Sequence, residues 1–356
     1  MGTSPDRAGQ NSEAEAGKRV PLVLSVIVPA RNEEENIAAC LHSLTAQSEY
    51  GFEIGVEWEL LLVDDDSTDG TRRIAEQIAG VTLVDVAPPP KGWTGKANAV
   101  WSASKRATGQ WLLFTDADTV HEPGDLRRAL HEAEKAEVAL LSYSPRQIVS
   151  GFWQRALMPL VFCELSLAYP PKKVSDPSSR LAAANGQFFL IRRDAYIKVG
   201  GHEAVADSIL EDVDLAGLVK RSKLGLRFRY APDALSTRMY RGFAQMYEGW
   251  TKNLALLFGN CLMLAAWRVL DIALLFGLPM LALALSFRPL ALWGILLVWL
   301  RTLWRFYARV AKSNFPAVDC ALSIFGLPLF VALLIRSWFH HTIRKRVFWK
   351  GREYPA

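Results

Sequence analysis

Two carboxylate pairs sit where the chain's pattern changes. The first is in FTDAD, residues 114–118, where the apolar run WLLF stops at Asp116 and Asp118. Carboxylates one residue apart at a strand's end bring hard oxygen ligands within reach of one divalent cation, Mg2+ or Mn2+, and that cation would neutralise a diphosphate. The second pair is in EDVDL, residues 211–215. Adjacent acids at a helix start can serve only the helix dipole. A carboxylate set opposite a departing diphosphate can instead take the proton from an attacking hydroxyl. Asp212 is the candidate base, with Glu211 as support and Asp214 as the less favoured substitute.

Two further stretches join them. GWTGKANA (92–99) has glycines that permit close backbone approach, and Lys96 at a helix start can face a phosphate. It is not a Walker loop, because GxxxxGKS and GxxxxGKT do not fit. VDDDSTDG (63–70) ends an apolar run in three consecutive aspartates that must repel one another unless something holds them.

The elements that position these residues alternate. LVLSVIVPA (22–30), WELLLVD (58–64), VTLVDV (81–86) and QWLLFTDAD (110–118) are apolar runs suited to strands buried on both faces. NEEENIAACLHSLTAQ (32–47) is expected to be an amphipathic helix with acids in its first turn. STDGTRRIAEQIA and ANAVWSASKRA supply two more helices. Alternation of this kind predicts a parallel α/β sheet with ligands beyond the carboxyl ends of its strands.

Residues 151–180 mix Trp, Phe, Met and Pro, and suit either a core helix or one lying on a membrane. Three apolar stretches follow, 269–287, 289–310 and 317–339. Each approaches the ~20 helical residues that a ~30 Å bilayer core requires. Arg301, Arg305 and Arg309 recur at i, i+4 and i+8, so the middle stretch is expected to lie in the interface with these arginines snorkelling. Two spans then put the basic stretch 344–356 on the inner face.

The chain has 356 residues, 51% of them hydrophobic, and a formal charge of +5. Twelve of the 41 basic and three of the 36 acidic residues lie from Asn260 onward. Because that basic region is embedded in Leu, Trp and Phe, the charge points to a membrane surface and not to nucleic acid. Cys40, Cys163, Cys261 and Cys320 form no CxxC pair and read as small apolar fillers. Residues 1–20 lack a signal-peptide core and are expected to be a disordered tail.

In this order SVIVPARNEEENI (25–37), VDDDSTDGT (63–71), FTDADT and LEDVDLAGLVKRSKLG (210–225) resemble the inverting family 2 glycosyltransferases. The resemblance covers about residues 22–235. It implies a GT-A type, Rossmann-like, mostly parallel sheet with helices on both faces, here with C-terminal membrane helices added. It implies that Pro29, Arg31 and Glu33 line the nucleotide pocket and that Asp65 contacts the base. Asp116 would lie on the ribose or metal side, Asp118 would bind the metal, and Asp212 would be the base. The donor would be a nucleotide sugar, UDP-linked by expectation. Asp66 stands where the family pattern has a non-acidic residue.

PPPKGWTGK and MYEGWTKN (246–253), with the apolar segments, resemble membrane glycosyltransferases of hopanoid and carotenoid pathways, which implies an isoprenoid lipid acceptor. Residues 1–20 hold no apolar run, so the N-terminal membrane helix of those relatives is not expected here. Processive polysaccharide synthases of the family carry QxxRW; here QMYEGW puts Glu248 in place of the Arg, which disfavours a polymer product. Trp250, Lys252 and Arg241 are then candidates for acceptor or diphosphate contacts, the alternative being a membrane-interface collar.

The expected organisation is a cytoplasmic catalytic domain over 21–250 and a membrane-associated region over 251–343, at the inner membrane. Alternatives are a polyprenyl-phosphate or cell-envelope polysaccharide glycosyltransferase, or a non-catalytic membrane scaffold that keeps the fold.

Overall fold

The computed structural model describes residues 22–285, 289–349 and 352–355. The expected tail, 1–20, and part of the basic stretch 344–356 lie outside the described residues.

Strands β1 (Leu24–Ala30), β2 (Trp58–Asp64), β3 (Val81–Asp85) and β4 (Trp111–Phe114) run parallel in the order β3-β2-β1-β4. β8 (Phe189–Arg192) pairs antiparallel with β4 and with β6 (Leu140–Ser144), and β9 (Leu226–Tyr230) runs parallel to β6, completing seven strands. A small sheet of β5 (Thr119–His121), β10 (Leu235–Thr237) and β7 (Arg146–Gln147) stands beside it, and β11 (Arg346–Trp349) pairs with β12 (Arg352–Pro355).

Side chains alternate across the large sheet as the strand period of two requires. Val26, Val28, Leu60 and Leu62 join one core with α1 (Ile37–Thr45), α2 (Thr71–Glu76) and α4 (Asp125–Lys135). Ile27, Leu61 and Val63 join the other with α3 (Gly95–Arg106), α7 (Arg193–Lys198) and α8 (Glu211–Arg221). α6 (Pro171–Ser175) packs its Val174 into that second core.

α1 begins later than the pattern suggests, and its first turn holds no acid. The acids Glu33, Glu34 and Glu35 lie in the preceding loop, where Asn32 has φ +51°. The loop is taken out of the helix by bonds to residues 67–71: Glu33 N donates to Thr71 Oγ1 (2.8 Å) and Thr68 N to Asn32 Oδ1 (2.8 Å).

A third apolar cluster joins α5 (Gly151–Ala168), α9 (Phe243–Leu257), α10 (Cys261–Ile272), α12 (Pro289–Val310) and α13 (Ala317–Phe339). α11 (Leu278–Ala284) follows α10 across a π-helical turn at Ala273–Gly277. α5 is therefore a core helix on one face, while Phe152 and Trp153 on its other face are exposed. A Cβ at Gly326 of α13 would collide with the Ala156 carbonyl oxygen of α5, so the two backbones meet closely there. Gly326→Ala is expected to destabilise the fold by about 1–3 kcal/mol through overpacking. Thermal unfolding in detergent checks this, and an unchanged midpoint would contradict it.

Among the described residues three segments, Cys261–Ala284, Leu290–Ser313 and Ala317–Arg344, are long and apolar enough to cross a membrane. The first starts ahead of residue 269 because Asn260 caps it, its Oδ1 accepting from Met263 N at 2.9 Å. The arginine stripe of α12 divides. Arg301 and Arg305 are exposed, but Arg309 turns inward to Asp271 (2.7 Å) beside Arg268, which holds Glu164 at 3.0 Å. At 100° per residue, two four-residue steps rotate a position about 80° around a helix, enough to carry Arg309 off the outer face. A buried charge needs such partners.

Candidate active site

Parallel register brings the ends of β1, β2 and β4 to one edge. Ala30 pairs with Asp64, Asp65 N donates to Ala30 O, and Thr115 N donates to Ile27 O. Beyond that edge opens a cleft of about 660 Å³. Pro29, Arg31, Glu33, Asp65, Lys96, Asp116, Asp118, Glu211 and Asp212 all line it, as do Arg241, Glu248 and Lys252 from the side of α9.

At the β2 end, backbone donors hold two of the four aspartates of VDDDSTDG. Asp64 Oδ1 accepts from Ser67 N (3.2 Å), and Asp69 accepts from Thr71 N (3.0 Å) and Glu34 N (3.1 Å). Asp65 is buried on the cleft wall, and its carbonyl oxygen accepts from Arg31 Nη1 at 2.6 Å. Asp66, the residue outside the family pattern, is exposed with φ +59°, a left-handed position that Asp tolerates better than most residues. Its carboxylate lies 3.9 Å from Arg31 Nη1.

At the other end a cation sits among three acids. Thr94 caps α3 by accepting from Ala97 N (3.2 Å), which sets Lys96 in the first turn. Lys96 Nζ lies 2.7 Å from Asp116 Oδ1 and 2.9 Å from Glu211 Oε1. Lys96, the expected phosphate contact, is held in a carboxylate clamp, where partial burial leaves its ammonium needing counter-charge. Burial pulls its pKa down, but Asp116, Glu211 and Asp212 outweigh that and hold it well above the ordinary lysine value.

Asp212 opens α8. Its Oδ2 accepts from Gly186 N at 2.6 Å and its Oδ1 from Val213 N at 2.8 Å. Burial and the neighbouring Glu211 raise its pKa to about 7, against the lowering effect of Lys96. That is the range in which a carboxylate works as a base near neutrality.

Several participants have no prominent sequence signal. A Cβ at Gly186 would come within 2.9 Å of Lys96 Nζ and 3.5 Å of Asp212 Oδ2, so a side chain here would push the Lys96 ammonium from its place. The isolated glycine ahead of the apolar FFLI was the available clue. His202 lies beside the same pocket, its pKa pushed down to about 3 by burial and by Lys96, and bonds Tyr196 OH at 2.9 Å through Nδ1. A buried chain holds the Asp116–Asp118 turn from beneath. Thr115 Oγ1 donates to Gln187 O (2.8 Å) and lies 3.1 Å from His121 Nε2, whose Nδ1 is 2.8 Å from Asp125.

Asp116 and Asp118 both face the cleft, and among the described residues no three His, Cys, Asp or Glu side chains converge as a ready cage. Two carboxylates suit a cation such as Mg2+ that fills its shell with waters and substrate phosphate oxygens. The donor set fits Mg2+ or Mn2+ in that mode.

Of the three acceptor-side candidates, Lys252 faces the cleft, its pKa lowered to about 8 by burial despite the nearby Glu211. Arg241 is at the rim, braced on Glu35 (2.8 Å) and on the Glu35 carbonyl (2.7 Å). Trp250 is not on the cleft. It is 2% exposed, its Nε1 meets Met158 Sδ at 3.4 Å, and Phe162 and Tyr240 pack edge-on to it, because its face of α9 is the one turned to α5.

Residues 25–200 match the family model Glycosyl transferase family 2. Over 345 residues, 93% of this chain and 88% of the relative, the sequence is 28% identical to the 4,4'-diaponeurosporenoate glycosyltransferase of Staphylococcus aureus strain MRSA252. The fold resembles that of a mannosyltransferase from Pyrobaculum calidifontis solved with GDP-Man and Mn2+, with TM-score 0.54 and 20% identity over 92% of this chain and 90% of that one.

Proposed function

Because residues 25–200 are a glycosyl transferase family 2 domain and the chain is a glycosyltransferase, we propose that it transfers a sugar, with inversion, from a UDP-linked donor to an isoprenoid lipid at the inner face of a cytoplasmic membrane. The observation that carries the mechanism is a half-buried carboxylate of raised pKa, Asp212, on the same cleft as the Asp116–Asp118 pair. The likeness to a carotenoid-acid glycosyltransferase and the apolar C-terminal helices support the lipid acceptor.

In this reading Asp65, Arg31 and Glu33 bind the nucleoside end, and Asp116 and Asp118 would hold Mg2+ or Mn2+, which would neutralise the diphosphate. Asp212 takes the proton from the acceptor hydroxyl as its oxygen bonds to the anomeric carbon. The bond from that carbon to the diphosphate breaks, and the nucleoside diphosphate leaves with the electron pair. One displacement needs no covalent enzyme nucleophile. Lys96 steadies the ionised carboxylates, and Lys252 brings positive charge to the acceptor side. Glu248 on the cleft wall is unsuited to phosphate, which weighs against the polymer-forming reading.

Purified protein in detergent, given UDP-sugar and isoprenoid lipid extract, is expected to form a lipid heavier by one sugar. The product is expected to disappear in chelator and to return with Mn2+ or Mg2+. Asp118→Asn is expected to raise the cation concentration needed for half-maximal donor binding, read by calorimetry. Chelator-resistant transfer would contradict the metal assignment, and no sugar added to any lipid would contradict the acceptor.

A further inference from the structure

Both ends of α13 rest on helices of the part of the chain that carries the cleft. At its start Asp319 Oδ1 lies 2.6 Å from Arg155 Nε of α5. At its end Ser337 Oγ accepts from Ala255 N of α9 (2.9 Å), and His341 Nε2 lies 2.7 Å from the Lys252 carbonyl oxygen. Between them Leu327, Phe330, Leu333 and Leu334 are fully buried against protein.

α5 and α9 are themselves joined, since Tyr169 at the end of α5 donates to the Leu257 carbonyl at 2.8 Å. α9 presents Gln245, Glu248 and Lys252 to the same cleft as the ends of β1 and β4, which places it with the part of the chain that carries the site. A helix of this length, about 35 Å at 1.5 Å per residue, could span a bilayer core. Its contacts instead tie both ends to α5 and α9, which are joined to each other.

The preceding hairpin behaves differently. Its base is tied to α5, where Arg268 meets Glu164 at 3.0 Å and Cys163 Sγ donates to Arg309 O at 3.1 Å. Beyond that base its apolar side chains stand bare, with Leu283 72%, Leu290 88% and Trp293 69% exposed. An apolar surface of that extent needs a partner, and helices that return to the same domain suit a lipid bilayer.

We infer that the chain enters and leaves the membrane on the face that holds the cleft: the α11–α12 hairpin is the inserted part, and α13 is an interfacial helix against α5 and α9. This reverses the sequence expectation, in which the middle segment was the interfacial one. It excludes three crossings, because residues 340–347 return to α9, where Val347 is 1% exposed. It also requires an acceptor to present its reacting group in the leaflet on the cleft side. The topology stands on the helix contacts alone, whatever the acceptor.

The test is impermeant maleimide labelling of variants of the full chain that each add one cysteine, in sealed, sided membrane vesicles, with Tyr50→Cys, 96% exposed, marking the cleft side. The native cysteines are all buried, so background is low. Val318→Cys in the first turn of α13 and Ile343→Cys just past its end, both exposed, are expected to lose labelling whenever Tyr50→Cys does. Labelling of these two from opposite faces overturns the inference. A C-terminal tag with a protease site is read alongside: cleavage from the Tyr50 face is expected, and cleavage only from the other face overturns the inference even where Ile343→Cys fails to react.

Discussion

Asp212→Asn is expected to lower sugar transfer by about 10²- to 10⁴-fold, the usual contribution of a positioned general base, while calorimetric binding of the UDP-sugar stays close to that of the unaltered protein. The separation follows from geometry. Asp212 sits at the first turn of α8, held by the amides of Gly186 and Val213, and Asp65 and Arg31 lie at the other end of the cleft. An amide keeps the shape and loses the basicity. In the unaltered protein the rate should fall as pH drops through about 7, because the group that must accept a proton is protonated below its pKa. The variant should lose that acid limb. Full activity in Asp212→Asn toward a hydroxyl acceptor would refute the base assignment. An acceptor carboxylate carries no proton at neutral pH, so its transfer should be much less sensitive to the substitution, and running both acceptors identifies which group is glycosylated.

Lys96→Met should be nearly as damaging, by a different route. It leaves Asp116, Glu211 and Asp212 facing one another without the ammonium that now bridges the first two at 2.7 and 2.9 Å. Lys96 lowers the Asp212 pKa, so its removal moves that pKa further above 7 and more of the base is protonated at neutral pH. Each unit of upward shift costs about tenfold in available base on the acid side. The pH–rate profile should therefore move alkaline, with a larger deficit at pH 7 than at pH 9. Lys96→Arg, which keeps the charge, should restore much of the profile. A deficit of equal size at every pH would show instead that Lys96 acts on the donor, the phosphate contact first expected of it.

How far the site was legible depended on how local its signal is. Asp116, Asp118, Glu211 and Asp212 stand where an apolar run or a helix begins or ends, and such punctuation is visible in a window of a few residues. Gly186, His202 and the buried Thr115–His121–Asp125 chain were missed because their roles are contacts between segments far apart in the chain. Trp250 was misplaced for a related reason. An aromatic residue near a cleft-lining lysine looks like an acceptor platform until the rotation of α9 turns it toward Met158. The acids of 33–35 were assigned to a helix by their spacing, but the 67–71 loop claims the same backbone donors.

By itself, then, the sequence determined the alternating sheet, the carboxyl-end edge at which a ligand meets acids, and the presence of three long apolar helices. Burial period and strand ends are local properties. Tertiary structure alone decided that Lys96 neutralises carboxylates, that Arg309 faces Asp271, and that α13 spends its apolar face on α5 and α9 while the hairpin before it remains uncovered. Hydropathy records that a surface avoids water; whether lipid or protein replaces the water depends on which other surfaces the fold brings against it.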